Sequence, residues 1–187
     1  MKIRIKSLIL ALTLIATAST YAQQKEIKAS ESSINWTGKK VTGAHTGTLN
    51  FSSGFLTFEN NNLSGGEFTV DMTSLAVTDL QGEYKTKLEG HLSSDDFFGI
   101  ANHKTAKLVI KKSEKIKGGY KVTGDLTIKG KTNPITFDLQ VNRGSAKATL
   151  NVDRTKYGIK YGSGSFFDNL GDKTINDEFE LAVNLKM

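Results

Sequence analysis

The sequence predicts an all-β protein, either a sandwich or a barrel. Short runs of alternating apolar and polar residues recur along the chain, and turn signals separate them. Beyond the N-terminal segment there is no long helical period, no low-complexity tract and no linker. Alternation with a period of two is typical of a sheet that buries one face and exposes the other.

The apolar positions follow one another in a regular order. They are Ile34 and Trp36; Leu49 and Phe51; Leu56 and Phe58; Phe68, Val70 and Met72; Ala106, Leu108 and Ile110; Tyr120, Val122, Gly124, Leu126 and Ile128; Ile135, Phe137 and Leu139; Ala148, Leu150 and Val152; and Phe179, Leu181, Val183 and Leu185. Glycine- and asparagine-rich turns lie between them, such as residues 60–62, 118–119 and 142–145. The last segment is long enough to close a barrel against the first.

The N-terminus has the pattern of a secretory signal peptide. A basic start over residues 1–6 precedes an apolar run over residues 8–18. That run is too short for a membrane-spanning helix, which needs about 20 residues, and it has no polar stripe. We predict a signal peptide over residues 1–22, cleaved after Ala22, and a periplasmic or secreted protein with one domain over residues 23–187.

Composition excludes several kinds of function. The chain has no cysteine, which excludes thiol catalysis, thiolate metal sites and a lipid anchor on an N-terminal cysteine. We therefore predict no stable membrane anchor. The formal net charge is +6, and it falls to +3 without the signal residues Lys2, Arg4 and Lys6. No stripe of arginines with interleaved aromatics is present, so nucleic acid is not a predicted partner.

Two segments interrupt the β pattern. Residues 79–98 contain good helix formers, and the cluster at residues 93–96 has the composition of a helix N-cap and first turn. We expect His91 to hydrogen-bond a neighbouring strand at a helix end. Residues 153–177 are rich in glycine and aromatics, and long loops of this kind are usually functional or mobile. An ion pair between Asp153 and Arg154 is predicted to hold this loop.

Four motifs stand out in the sequence: Gly90-His91-Leu92 with Ser94-Asp95-Asp96-Phe97-Phe98, Gly124-Asp125-Leu126-Thr127, Asn133-Pro134-Ile135-Thr136-Phe137, and Asp153-Arg154 with Tyr157-Gly158-Ile159. These motifs resemble those of the YceI-like family of secreted barrels, and the resemblance implies binding of polyisoprenoids or other long-chain lipids. The resemblance spans residues 30–185 and implies an eight-stranded antiparallel lipocalin-like barrel with a short helical insertion. One departure is His103-Lys104 where the family commonly has Tyr-Pro, so the turn there is not predicted by the resemblance.

The sequence offers no convergent catalytic chemistry. The only histidines, His45, His91 and His103, occur in no metal-ligand spacing, although three histidines meeting in space would still form a zinc site. Asp95 and Asp96 are adjacent, so spacing does not make them an acid/base pair. There is no Gly-x-Ser-x-Gly motif. We predict no catalytic residue, no bound metal and no cofactor.

The apolar positions are the candidate ligand site. A lipid-binding tunnel and a filled core have the same pattern, and two features favour the tunnel: Gly119 and Gly124 would leave space inside, and the aromatic pieces at 97–98 and 161–167 would line or cover a mouth. The predicted ligand-binding residues are Phe58, Phe68, Val70, Met72, Phe97, Phe98, Val122, Leu126, Ile128, Phe137, Leu139, Leu150, Phe166, Phe167, Phe179 and Leu181.

These observations predict an exported protein that holds an isoprenoid or fatty-acyl lipid for carriage or sequestration. Burial of a chain in a dry barrel is favourable by about 0.8 kcal/mol per CH₂. Two alternatives stay open: a ligand-free secreted interaction or stress protein, and an enzyme that acts on a lipid head group through His91 or His45. The sequence also leaves open whether the protein forms a homodimer.

Overall fold

The computed structural model describes residues 22–187, which form nine strands and one α-helix. The strands are β1 (Ala22–Glu26), β2 (Ser33–Lys40), β3 (Gly43–Glu59), β4 (Asn62–Val77), β5 (Thr105–Ile116), β6 (Gly119–Ile128), β7 (Lys131–Asn142), β8 (Ser145–Asp153) and β9 (Ile175–Lys186). The helix α1 spans Gly82–Ser93, between β4 and β5. Apart from Ala22, the predicted signal peptide lies outside the described residues, so its cleavage stays a prediction.

Strands β2 to β9 close into an eight-stranded antiparallel barrel, which confirms the predicted fold. Each of these strands pairs with the next along the chain, including β8 with β9 across the long loop, and β9 closes the ring against β2, where Trp36 lies opposite Leu181. The predicted closure of the last segment on the first is therefore confirmed. The short β1 lies outside this ring and pairs with the second half of β3.

Alternation along the strands produces the interior. In β6 the side chains of Val122, Leu126 and Ile128 are buried, whereas Lys121 and Thr123 on either side of Val122 are exposed. Buried residues from all eight barrel strands form one continuous apolar cluster. Tight hairpins keep the register: both turn residues between β3 and β4, Asn60 and Asn61, have positive φ angles, as a type I′ turn requires.

The ladder between β7 and β8 is the shortest in the barrel. Only four residue pairs join these strands, from Leu139↔Ala148 to Asn142↔Ser145. The first half of β7 pairs with β6 alone, and Pro134, which has no N–H to donate, lies in this half. The 3-10 turn at Arg154–Tyr157 lies alongside, where the Asn133 side-chain amide donates to the Lys156 carbonyl at 3.1 Å.

The predicted helix start at residues 93–96 is wrong, because these residues end α1. Ser94 is the C-cap, and both its N–H and its hydroxyl donate to the His91 carbonyl, at 3.1 and 2.8 Å. Serine and aspartate bond free backbone groups at either end of a helix, so composition alone did not give the direction. Tight turns after Ser94 then bury the side chain of Phe97.

The expectation that Gly119 and Gly124 leave internal space is also wrong. A Cβ at Gly119 would lie 2.2 Å from the Leu139 carbonyl oxygen, and one at Gly124 would lie 2.7 Å from that of Val109. These glycines allow neighbouring strands to approach closely. They do not create a cavity.

Gly124→Ala should therefore destabilise the barrel by about 1–3 kcal/mol, since the new methyl group must displace backbone in a packed wall. Gly90→Ala is the matched control, because a Cβ at this position in α1 meets no atom within 4 Å. That change should be neutral or stabilising by about 0.5–1 kcal/mol. Urea midpoints for the two variants check the result, and equal midpoints would contradict the close-approach explanation.

No helix in residues 22–187 combines the length and apolarity needed to cross a membrane.

Candidate functional site in the barrel interior

Three small cavities lie inside the barrel. The mouth cavity has a volume of about 60 Å³ and lies next to α1 and the turn that follows it, with Leu92, Phe97 and Phe98 in its wall. The middle and deep cavities have volumes of about 70 Å³ each. The middle cavity is bounded by residues such as Met72 and Ile128, and the deep cavity by residues such as Phe137 and Leu185.

The cavities follow one another through the interior. Leu181 of β9 lines all three, and Phe98 and Phe179 line both the mouth and the middle cavity. Val70 and Leu126 line both the middle and the deep cavity. Side chains of this shared set, in particular Leu181, are therefore the main separation between neighbouring cavities, and together the three mark a path along the barrel.

The walls of this path are almost entirely apolar. The deep cavity is lined only by aliphatic and aromatic side chains, and the middle cavity adds a single polar residue, Lys107. Apolar cavities of this kind stay dry and accept apolar guests. Because no fixed polar group faces the deep end, shape and dryness are what the interior offers a ligand.

Twelve of the sixteen predicted ligand-binding residues line these cavities. They are Phe68, Val70, Met72, Phe97, Phe98, Leu126, Ile128, Phe137, Leu139, Leu150, Phe179 and Leu181. Their role in binding a ligand stays a prediction.

The other four predicted residues lie elsewhere. Val122 is fully buried and Phe58 nearly so, but neither lines any of the three cavities. Phe58 packs at the β1 side of the barrel, beneath the ammonium group of Lys25. Phe166 and Phe167 are about half exposed on the long loop, outside the barrel interior.

Several lining residues were missing from the predicted set. Ile34 and Trp36 line cavities from β2, Leu108 does so from β5, and Val183 from β9. Each lies on the same alternating face as the apolar residues that the sequence identified. Strict continuation of the period-two pattern would have included them.

The mouth cavity reaches the barrel wall at a bulge between β2 and β9. Three residues of β9, at positions 176–178, lie opposite the single residue Lys39. Gly38, Asn176 and Glu178 line the cavity here, and the latter two are exposed. A Cβ at Gly38 would meet no atom within 4 Å. The mouth cavity therefore comes close to the surface at this bulge, which makes the bulge the candidate entrance to the interior.

A buried arginine holds the bulge in shape. The side chain of Arg154 is only 1% exposed and donates four hydrogen bonds of 2.9 Å. The acceptors are the carbonyls of Ile175 and Asn176 in the bulge and of Ile159 and Tyr161 in the long loop. These bonds connect the end of β8, the start of the loop and the start of β9.

The predicted ion pair between Asp153 and Arg154 is therefore wrong in its partner. The carboxylate of Asp153 accepts bonds from the N–H and hydroxyl of Thr155, at 2.9 and 2.6 Å. The carboxylate next to Arg154 is that of Asp177, at 3.5 Å. Burial lowers the pKa of Arg154, and the charges of Asp177 and Asp153 oppose that shift. Asp153 ends β8 and caps the 3-10 turn that begins at Arg154, so its carboxylate is bound to Thr155 and the Arg154 side chain bonds to β9 instead.

Asp177 makes the bulge sensitive to acid. Burial raises its pKa, but the hydroxyls of Ser163 and Ser165 and the charge of Arg154 outweigh burial, so its pKa lies below the usual 3.8. Its stabilising contribution is thus complete above the unfolded-state pKa and is lost as the pH falls through the lower folded-state value. Asp177→Asn should be less stable than the parent at neutral pH and should lose less stability below about pH 4. Urea midpoints across acidic pH test this, with Asp168→Asn in the same loop as the charge control.

The three histidines have different surroundings: His45 pairs with Asp79, His91 packs against aromatic rings and His103 lies beside Gly99 and Gly130. The Nε2 atom of His91 is buried without a hydrogen-bond partner, so the predicted bond to a strand is wrong; its ring instead packs edge-on against Tyr161 and Phe97. His45 pairs with Asp79 at 2.8 Å, but neither residue lines a cavity. Within residues 22–187, no group of three or more His, Cys, Asp or Glu side chains could hold a metal ion.

The geometry defines a class: small antiparallel barrels with a dry interior and an entrance beside a helical insertion. The chain belongs to the YceI-like family, because the family model for the YceI-like domain matches residues 26–187. The YceI-like fold is a binding-protein fold.

Curated relatives support the same family. A UPF0312 protein of Staphylococcus epidermidis is 34% identical over 111 residues, which cover 49% of this chain and 60% of that protein. A UPF0312 protein of Staphylococcus aureus is 37% identical over 84 residues, covering 39% of this chain and 47% of that protein. The chain therefore spans less than two thirds of the length of either relative.

Solved structures show the same fold at low sequence identity. BcnA of Burkholderia cenocepacia matches with a TM-score of 0.70 at 20% identity, covering 85% of this chain and 98% of BcnA. A polyisoprenoid-binding domain from Saccharophagus degradans matches with a TM-score of 0.57 at 14% identity, covering 89% and 97%. A YceI protein of Campylobacter jejuni matches with a TM-score of 0.53 at 15% identity, covering 97% and 93%.

Proposed function

We propose that this protein binds one isoprenoid or fatty-acyl chain inside the barrel and carries or sequesters it. The observation that carries this proposal is the row of three apolar cavities connected by shared lining residues. A flexible chain fits such a path better than a compact ligand does, because the chain can occupy the narrow connections once side chains such as Leu181 rotate. The polyisoprenoid-binding domain with the same fold is consistent with this ligand class.

The driving force is transfer of the chain out of water. Each methylene buried in a dry interior contributes about 0.8 kcal/mol. Binding of this kind needs neither a metal ion nor a reacting group. The buried charged side chain beside the mouth cavity, Arg154, already donates its hydrogen bonds to backbone carbonyls. We therefore propose a binding role without catalysis.

Export is part of the same proposal. A basic start followed by a short apolar run supports secretion to the periplasm or beyond, with mature protein that begins at Gln23. A carrier outside the cytoplasm would shield an apolar chain from water between membranes.

Mass spectrometry of protein purified from its own host tests both parts. Organic extraction should release a long-chain isoprenoid or fatty-acyl lipid, and the intact protein should lack about its first 22 residues, a length in the usual range for signal peptides. Full-length cytoplasmic protein would overturn export. An empty barrel, together with failure to bind added lipid, would overturn the carrier and favour a ligand-free interaction protein.

A further inference from the structure

Four large apolar side chains are exposed at the entrance end of the barrel. Val41 is 62% exposed, and Tyr161, Phe166 and Phe167 are 50%, 47% and 51% exposed. We call these four residues the rim patch. Large exposed apolar side chains that lie close together mark an interaction surface, whereas single ones do not.

Backbone contacts join the rim patch into one surface. The Val41 N–H donates to the Thr174 carbonyl at 3.1 Å, and the Ile175 N–H donates to the Gly162 carbonyl at 2.8 Å, next to Tyr161. The N–H groups of Phe166 and Phe167 both donate to the Ser163 carbonyl. The β2–β3 turn, the start of β9 and the long loop therefore lie next to one another, and the four exposed side chains belong to this one region of the surface.

The charge around the rim patch is positive. The β2–β3 turn, the long loop and the bulge, residues 39–44 and 156–178, contain five lysines and four acidic residues, of which Asp177 is paired with Arg154. The ammonium group of Lys160 lies 4.3 Å from the centre of the Phe166 ring. On α1 at the same end, by contrast, lysines are paired with glutamates, at 3.0 and 2.7 Å. A small excess of positive charge therefore accompanies the aromatic groups.

The rim patch also lies beside the entrance to the interior. Lys40 pairs with Ile175, and Ile175 lines the mouth cavity. The bulge at residues 176–178 follows directly along β9. A partner that binds the rim patch therefore also lies next to the bulge at residues 176–178.

We propose that the rim patch docks the barrel reversibly on an anionic lipid bilayer, with the bulge facing the membrane. Phenylalanine and tyrosine side chains insert at the boundary between head groups and acyl chains, and lysines at the rim bind anionic head groups. The bilayer then supplies or receives the apolar chain directly at the entrance. Docking itself needs no ligand in the cavity, so it can be tested independently of the proposed function.

Vesicle flotation with protein purified from its own host tests the docking. The parent should bind vesicles made of equal parts phosphatidylcholine and phosphatidylglycerol, and binding should weaken on phosphatidylcholine alone or at high salt. The double variant Phe166→Ser, Phe167→Ser should bind vesicles with an affinity at least about tenfold lower, because the burial of two aromatic side chains is lost. Lys160→Gln with Lys173→Gln should remove the preference for the anionic vesicles.

Matched controls separate docking from folding and from ligand binding. Tyr84→Ser removes a 75%-exposed aromatic from α1, and Lys115→Gln with Lys117→Gln removes two lysines from the opposite end of the barrel. These controls should bind vesicles like the parent. All variants should keep the parent's melting temperature and its affinity for a soluble fatty-acyl probe. No vesicle binding by the parent, or equal loss in rim and control variants, would overturn the proposal.

Discussion

Leu181→Trp should abolish retention of a fluorescent fatty-acyl probe while leaving the barrel folded. Leu181 is the residue that lines all three cavities, so an indole at this position would block the path where the cavities meet. The free volume around it can accept the added atoms, and the melting temperature should change little. Probe fluorescence and thermal unfolding, measured on the same samples, check both halves of the result.

Val122→Trp is the matched comparison for Leu181→Trp. Val122 is fully buried and lines no cavity, so the same indole must overpack a filled region and should lower stability by about 1–3 kcal/mol. If Leu181→Trp destabilises the protein as much as Val122→Trp does, and the parent binds no probe, the interior is a solid core and the carrier proposal fails.

Arg154→Met should lower the free energy of unfolding by about 3 kcal/mol or more. Four carbonyls lose their buried donor, and Asp177 loses its positive neighbour. Arg143→Met, in the exposed turn between β7 and β8, is the matched control and should have little effect. Urea unfolding measures both.

Arg154→Lys tests whether geometry or charge matters at this position. One ammonium group cannot reach carbonyls on both the loop and the bulge, so stability should recover only in part. Full recovery would show that the positive charge alone supports the bulge, contrary to the role assigned here to the guanidinium fork.

The alternation of apolar residues was sufficient to predict the barrel strands, because burial of one face is a local property that repeats every two residues, whereas the fully exposed β1 was not predicted. In β6, for example, the apolar face identified from the sequence is the buried face. Closure in eight strands came from the resemblance to the YceI-like family, since pairing between distant strands leaves no local signal.

The helix end at residues 93–96 was misassigned for a local reason, but the wrong predictions at Gly124 and Arg154 share a different cause, which is dependence on a distant partner. Gly124 was expected to leave space inside the barrel, but the Val109 carbonyl on the neighbouring strand β5 occupies that space. Arg154 was paired with its sequence neighbour, but its bonds go to residues 5 to 22 positions away. Likewise, Val122 and Leu126 are equivalent by sequence pattern, and only packing shows that just one of them lines a cavity.

The four-pair ladder between β7 and β8 leaves one side of the barrel with few backbone pairs to hold it closed. Separating any other two neighbouring strands would break more backbone pairs. Between β8 and the first half of β7 there are none to break, because that half of β7 pairs with β6 alone. An increase in barrel diameter on this side would therefore need only a rotation about the β7–β8 turn at Arg143 and Gly144. Phe137, Leu139 and Leu150, which line the deep cavity, lie on the two strands that would part.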